Sequence, residues 1–339
     1  MMRPVAYTRV SDVPTAIAEA ATDPDSEFLA GGTTEVDMLR IGVARPRRVV
    51  DINDLPISRI EDLPDGGVRL GAMARMSDVA RAPGARERFP MVAQALELGA
   101  SAQLRNMASM GGNLMQRVRC GYFRDGTAPC NKREPGSGCA AISGINRTHA
   151  VLGTSDHCIA THPSDVAVPL VALDAVVHIQ GPQGTRTVDF DDFFLLPGDT
   201  PEREHPISHG ELITAIDIPA TPMARRSTFL KVRDRESYEF ALAAAAVAMR
   251  MDGGVIGEVR IGLGGVATKP WRARRAEEIL TGARADDRDA FERAAREEMA
   301  PAVPQTMNGF KIELAQRTMV RALETVAASE EPERQGGTT

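Results

Sequence analysis

Four cysteines constrain the fold of this 339-residue chain more than any other feature, since all of them lie between positions 120 and 158. Nine, eight and eighteen residues separate them in turn. Pro129 and the run 135–138 (Pro-Gly-Ser-Gly) lie between them, so no helix can carry all four, and a wrapped loop is predicted. Thiols clustered in this way in an intracellular protein bind metal more often than they pair with each other. The four are Cys120, Cys130, Cys139 and Cys158.

The spacing of these cysteines distinguishes between kinds of metal site. Zinc sites commonly begin with two cysteines two to four residues apart, and no such pair occurs here. Four thiolates on a loose loop suit an iron–sulfur cluster better, because a cluster is larger than one ion. On the residues alone, a zinc ion, free thiols and disulfides stay open as alternatives. The nearby His149, His157 and His162 are interpreted as structural hydrogen-bonding residues, since four thiols already complete a cluster.

Composition argues against several classes of protein. With 40 basic and 46 acidic residues the formal net charge is -6, and the two signs are interspersed, which disfavours nucleic acid or an anionic membrane as the main partner. The longest apolar run, 240–249, is too short to cross a membrane. The first residues lack the apolar segment of an export signal. We therefore expect synthesis and assembly in the cytoplasm, with the periplasm reached only as a folded complex carried by a partner subunit.

Hydrophobic patterning predicts three folded units and a tail. A first domain is expected over 1–222, with subdomains of about 1–55 and 56–222, and a second over 227–328. Residues 329–339 have the composition of a disordered tail. Alanine content favours a helix for 240–249, although this stretch lies between predicted strands. Predicted elements include helices at 13–21, 91–98 and 310–328 and strands at 48–52, 176–180, 212–218 and 227–232, of which 176–180 and 212–218 are the clearest strands of the segment 161–222.

Two glycine-rich segments have the ingredients of a phosphate site. The run 30–34 (Ala-Gly-Gly-Thr-Thr) directly follows a predicted strand, and adjacent glycines let backbone N–H groups approach an anion closely. A plain turn is the alternative for either segment alone. The run 109–113 (Ser-Met-Gly-Gly-Asn) repeats these ingredients, so two loops could close on one dinucleotide. A third segment, 262–267, matches a nicotinamide fingerprint but is rejected, because Pro270 prevents the helix that must follow.

Six ordered segments resemble the FAD-binding subunit of molybdenum hydroxylases, the family that includes xanthine dehydrogenase. The similarity runs from about residue 3 to 325. The segments are AGGTT (30–34), QLRNMASMGGNL (103–114), THPSDVAVPLVALDA (161–175), GELITAIDIP (210–219), FLKVRDRESYEFALAAAAVA (229–248) and GLGGVATKPWRA (262–273).

This resemblance implies an α+β flavoprotein. Two subdomains of the vanillyl-alcohol-oxidase type would clasp FAD, and a small α+β domain of the CO dehydrogenase flavoprotein type would follow. The family's pyrophosphate turn corresponds to Glu27, Phe28, Leu29, Ala30, Gly31, Gly32, Thr33, Thr34 and Glu35, with Ser109, Gly112 and Asn113 on the opposite side. Glu35 replaces the apolar residue usual there, so only its backbone is assigned.

The resemblance also assigns single residues around the flavin. It implies that Asp165 hydrogen-bonds ribityl or adenosine hydroxyls, that Ile213 lies near the isoalloxazine ring, and that Lys231 offers a charge to the flavin or its phosphates. In the same family the stretch 240–249 is a strand.

The cysteines lie in an insertion, 117–160, between two segments that are only a few residues apart in most of the family. An insertion that carries a [4Fe-4S] cluster resembles two branches, the bacterial periplasmic aldehyde oxidoreductases and the 4-hydroxybenzoyl-CoA reductases. The strings at 119–125, 129–142 and 157–165 look like the first branch, which implies a cluster on all four cysteines.

FAD and a cluster together form an electron relay, because FAD takes two electrons and a cluster passes one at a time. No catalytic residue is assigned to this chain. The implied partners are a molybdenum-cofactor catalytic subunit, a small subunit with two [2Fe-2S] clusters, and an external electron acceptor. The alternatives are a reductase of a CoA thioester and a zinc-stabilised, non-catalytic scaffold.

Overall fold

The structure is a computed structural model that describes residues 3–329, and it contains three β-sheets with helices packed on them. The predicted α+β class is confirmed. The expected tail at 329–339 lies outside the described residues except for Ser329. No helix within 3–329 has the length and apolar character needed to cross a membrane.

The first unit is a three-stranded parallel sheet in the order β1-β3-β2. Helix α1 begins where the sequence predicts, because Asp12 caps it by accepting a hydrogen bond from the Thr15 N–H at 2.8 Å. Strand β2 runs directly into the first glycine segment, and α2 follows that segment. The elements are β1 (Ala6–Arg9), α1 (Val13–Ala21), β2 (Ser26–Leu29), α2 (Glu35–Ile41) and β3 (Arg48–Asp51).

The second unit contains a five-stranded antiparallel sheet in the order β4-β5-β8-β6-β7. The second glycine segment of the chain, 109–113, lies in this unit and forms the one-turn helix α7 instead of the predicted turn. The Ser109 hydroxyl caps this helix by accepting a hydrogen bond from the Gly112 N–H at 3.2 Å. The elements are β4 (Ile60–Asp62), β5 (Val68–Gly71), α3 (Met76–Arg81), α4 (Pro83–Arg88), α5 (Pro90–Leu98), α6 (Ala102–Met107), α7 (Met110–Leu114), α8 (Gly121–Arg124), α9 (Ala140–Ser143), α10 (Ala167–Ala172), β6 (Val176–Gly181), β7 (Gly184–Asp189) and β8 (Leu212–Ile218).

The third unit is a four-stranded antiparallel sheet in the order β12-β11-β10-β9 with three helices. The elements are β9 (Ser227–Val232), β10 (Ala243–Asp252), β11 (Val255–Gly264), β12 (Trp271–Arg272), α11 (Arg274–Leu280), α12 (Arg288–Met299) and α13 (Phe310–Ala328).

The helix that alanine content alone favours at 240–249 is wrong and the strand that the resemblance implies is confirmed, since most of this stretch belongs to β10. Ala244, Ala246 and Ala248 face the core of the second unit. Ala243 and Ala245 face the core beneath α13. Both faces of the strand are buried, so the alternation that identifies a half-exposed strand is absent from the sequence. The domain boundary at 222–227 stays a prediction.

The insertion, 117–160, is a loop that contains only the two one-turn helices α8 and α9. Lys311 on α13 is fully buried and donates hydrogen bonds to the carbonyls of Thr148, at 3.0 Å, and His149, at 3.1 Å. Asn308 Nδ2 donates to the carbonyl of Ala150 at 3.1 Å. The third unit therefore fixes the last part of the insertion in place.

Candidate functional site

The two glycine segments contact each other, as the sequence predicts for loops that close on one ligand. A Cβ atom on Gly112 would lie 3.6 Å from the Cβ of Ala30. One on Gly31 would lie 1.9 Å from the carbonyl oxygen of Met107, two residues before the second segment, so only glycine permits this approach. Gly32 adopts φ of 71°, in the left-handed region. Within the described residues, no backbone carbonyl accepts a hydrogen bond from the N–H groups of Gly31, Gly32 or Thr33. These donors suit an anionic ligand such as a pyrophosphate.

Two cavities lie on either side of this contact, and Gly112 lines both. The first, here the Arg119 cavity, has a volume of about 480 Å³ and is also lined by Thr33, Thr34 and Asn113. The second, here the Ile213 cavity, has a volume of about 470 Å³. Its walls include Glu27, Phe28, Ala30, Glu35 and Ile213. One extended ligand with a ring at each end and phosphates in the middle fits this arrangement.

Asp165 and Lys231 form a buried ion pair at the Arg119 cavity. Lys231 Nζ lies 2.7 Å from Asp165 Oδ2 and donates to the Leu98 carbonyl at 3.1 Å. Burial raises the pKa of Asp165 to about 6, and the adjacent Lys231 ammonium opposes that shift. Asp165 lines the cavity, whereas the Lys231 side chain is only 1% exposed. Lys231 therefore contacts the Asp165 carboxylate from the protein interior and not from the cavity.

Glu35 lies in the wall of the Ile213 cavity with one carboxylate oxygen, Oε1, buried and without a hydrogen-bond partner in the described residues. Burial, followed by the neighbouring Glu27 carboxylate, raises the pKa of Glu35 to about 8, and Arg117 opposes the rise. The side chain is therefore neutral at pH 7. A neutral carboxyl group adds no negative charge beside a phosphate-bearing ligand.

The four cysteines line one small cavity in the insertion and form no disulfide. Cys130 and Cys139 face each other across an isolated antiparallel bridge, and Cys158 pairs similarly with Ser155. Burial raises the pKa of Cys120 to about 11 and that of Cys158 above its usual range. His149 Nε2 lies 3.2 Å from Cys120 Sγ.

No group of three or more His, Cys, Asp or Glu side chains within residues 3–329 is arranged to hold a metal ion. The four cysteines therefore share one cavity, with a volume of about 10 Å³, without forming a preassembled ion site.

A third cavity, here the Cys120 cavity, borders the Arg119 cavity and has a volume of about 210 Å³. Cys120 and His149 line it, and it shares Arg119, Asp165 and Phe240 with the Arg119 cavity. Sequence reasoning missed Arg119, Phe240 and the nearby Asp37. Of these three residues, only Arg119 has a sequence feature that could have indicated a role at the site, namely its position directly before Cys120.

Comparison with known proteins gives matches over most of the chain. Residues 3–221 match the FAD binding domain in molybdopterin dehydrogenase, and residues 228–326 match the CO dehydrogenase flavoprotein C-terminal domain. The chain is 43% identical to the aldehyde oxidoreductase FAD-binding subunit PaoB of Escherichia coli strain K12, over 95% of this chain and 98% of that protein. It is 25% identical to the glyceraldehyde dehydrogenase medium chain of Sulfolobus acidocaldarius, with the same coverage.

Among solved structures, carbon monoxide dehydrogenase from Hydrogenophaga pseudoflava contains a chain with the same fold. The TM-score is 0.75 at 26% identity, and the match covers 97% of this chain and 99% of that one.

Proposed function

This chain belongs to the family of FAD-binding subunits of molybdopterin dehydrogenases, and from that premise we propose that it transfers electrons within an aldehyde oxidoreductase. It is a subunit of an oxidoreductase and binds FAD, as the sequence predicts. Electrons would arrive through a [4Fe-4S] cluster and leave from FAD to an external acceptor. The observation that carries this proposal is a pair of neighbouring cavities that share Arg119, Asp165 and Phe240, one lined by Thr33 and Thr34 of the flavin turn and the other by Cys120.

The two cavities around the glycine segments suggest how FAD would be oriented. When bound, FAD supplies a ring system that accepts two electrons and releases them singly. The Arg119 cavity shares Arg119, Asp165 and Phe240 with the Cys120 cavity, whereas the Ile213 cavity shares no lining residue with the Cys120 cavity. We therefore assign the isoalloxazine ring to the Arg119 cavity and the adenine to the Ile213 cavity. This orientation differs from the expectation that Ile213 lies beside the isoalloxazine ring.

The proposed cluster would be held by Cys120, Cys130, Cys139 and Cys158. Their common cavity supports this ligand set, because four thiolates are the usual complement of an iron–sulfur cluster. Thiols with raised pKa values must lose protons when they bind iron, so cluster binding would release protons.

The aldehyde substrate is proposed from the relative with 43% identity, whose name states that activity. The strings around the cysteines, which look like the aldehyde oxidoreductase branch, favour the same reaction over reduction of a CoA thioester. The catalytic molybdenum centre and the [2Fe-2S] clusters would belong to partner subunits, consistent with the role of relatives as medium chains.

A Cys139→Ser variant tests the cluster within the purified complex. We expect it to lose most of its iron and the broad visible absorption while FAD stays bound, because the flavin turns lie outside the insertion. Thr127→Ala, an exposed change in the same insertion, serves as the matched control and should retain both groups. Equal iron in the Cys139→Ser variant and the parent would refute the ligand assignment.

Removal of FAD from the assembled complex tests the direction of transfer. We expect a single turnover with aldehyde to proceed, whereas steady-state turnover with the acceptor should fall by at least about tenfold, because electrons would lack an exit. If the single turnover also disappears, the flavin participates in substrate oxidation and the proposed outlet role is wrong.

A further inference from the structure

We propose that Arg119 couples the two redox sites, because its guanidinium binds the flavin end of FAD while lying beside the cluster ligand Cys120. One cation would then favour the reduced state of both groups. This inference rests on the proposed function above and adds a role for a residue of the insertion.

Arg119 is held by the flavin turn. Its Nη2 donates to the Thr34 hydroxyl at 3.0 Å, and its guanidinium lies 5.4 Å from the centre of the Phe240 ring. Its Nε is buried and has no hydrogen-bond partner in the described residues. A buried guanidinium N–H without an acceptor costs free energy unless a ligand satisfies it. The side chain therefore has a donor left for a group that occupies the cavity.

The charges around Arg119 do not cancel. Asp37 Oδ2 lies 2.7 Å from Arg124 and 3.5 Å from Arg119, so one carboxylate faces two guanidinium groups. The other charged residues of this wall are matched in pairs, since Asp165 contacts Lys231 at 2.7 Å and Arg235 contacts Glu239 at 3.2 Å. One positive charge is left over, and it attracts an anionic ligand.

The position of Arg119 brings this charge close to both sites. Arg119 lines the Arg119 cavity and the Cys120 cavity, and the next residue in the chain, Cys120, is a proposed cluster ligand. Reduction of either cofactor adds negative charge, so a nearby cation stabilises the reduced state of each. Arg124 lines only the Arg119 cavity. Arg119 is thus the better placed of the two arginines to act on both cofactors.

Redox titration of the purified complex, followed by visible absorption for the flavin and by electron paramagnetic resonance for the cluster, tests this coupling. For Arg119→Gln we expect the equilibrium constant for reduction of each cofactor to fall about tenfold. A tenfold change is about 59 mV for a one-electron cluster couple and about 30 mV for a two-electron flavin couple. Arg119→Lys, which keeps the charge, should lie closer to the parent.

Asp37→Asn provides the reciprocal variant, because it removes the shared carboxylate and should raise both potentials. Arg81→Gln is the control, since this exposed arginine pairs only with Asp78 and should change neither potential. The inference is supported if Arg119→Gln lowers the reduction potentials of both cofactors and Asp37→Asn raises both. Unchanged potentials, or a shift of one cofactor alone, overturn it.

If Arg119→Gln fails to retain FAD, the Asp37→Asn variant alone tests the inference. Higher reduction potentials of both cofactors support it, and any other result overturns it. Absence of flavin or iron from the parent complex would instead refute the proposed function, so the two failures are distinguishable.

Discussion

At the residue scale, the glycines of the two segments are required for different physical reasons. Gly31 allows one segment to approach the other, whereas Gly32 adopts a backbone conformation that other residues avoid. Gly112 has no positive φ, and an added Cβ would meet the Ser109 hydroxyl at 2.8 Å, so this side chain would have to move and weaken its cap of α7. Substitutions at Gly32 and Gly112 therefore separate folding from cofactor binding.

For Gly112→Ala we expect about tenfold weaker FAD binding, because the methyl group lies where both cavities meet, and a loss of stability of at most about 1 kcal/mol from the weakened Ser109 cap. Gly32→Ala should also lower stability, since a left-handed residue with a Cβ costs about 1–2 kcal/mol. Flavin fluorescence titration and thermal unfolding measure the two effects. Full FAD affinity in Gly112→Ala would show that the contact between the segments is purely structural.

Glu35 predicts a pH dependence of FAD binding. Its pKa of about 8 is above the usual carboxyl value, so the group is neutral below that pH and negatively charged above it. Deprotonation adds charge near the phosphates of FAD, so the dissociation constant should rise several-fold between pH 7 and pH 9. Glu35→Gln should bind FAD with little change over this range. The same rise in both proteins would assign it to another group.

At the element scale, α13 supports the insertion through one buried residue. Lys311 donates to the carbonyls of Thr148, His149 and Gly265, and removing the ammonium takes one donor from each of the first two and leaves the Gly265 carbonyl without a donor in the described residues. Lys311→Met should therefore lower the free energy of unfolding by about 3 kcal/mol and increase protease cleavage within the insertion. Arg317→Met, an exposed change on the same helix, should cost less than about 1 kcal/mol. Equal protease resistance of parent and Lys311→Met would contradict this role of α13.

Elements with a local signal were predictable from the sequence. Helix α1 has an aspartate cap, and α13 and β8 have the residue bounds that patterning predicts. The contact between the glycine segments was predictable for the same reason, because each carries its own local pattern.

Other features depend on tertiary packing and have no such signal. Alanine content alone favours a helix for the stretch that forms β10, and the alternation typical of a strand is missing because both faces of β10 are buried. The importance of Arg119 depends on Asp37 of α2 and on the Phe240 ring of the loop before β10, which are distant from it in the sequence.

At the scale of the whole molecule, β10 contributes to two hydrophobic cores, one with α5 and α10 and one with α13. A fragment of residues 1–222 would lack β10 and expose the buried Val168 and Leu170. We expect this fragment to aggregate, while the whole chain unfolds in one calorimetric transition. A soluble fragment with a sharp transition of its own would show that the second unit folds independently.

Helix α10 packs so closely on β11 that a Cβ on Gly262 would lie 2.3 Å from the Val168 carbonyl oxygen. The alanines of β10 leave similarly little space on either face. A chimera of two relatives joined at 222–227 would combine packing surfaces that evolved in different chains. Such chimeras should require compensating substitutions along β10 and β11. In homologous chains, the residues packed on either side of this boundary should change together during evolution.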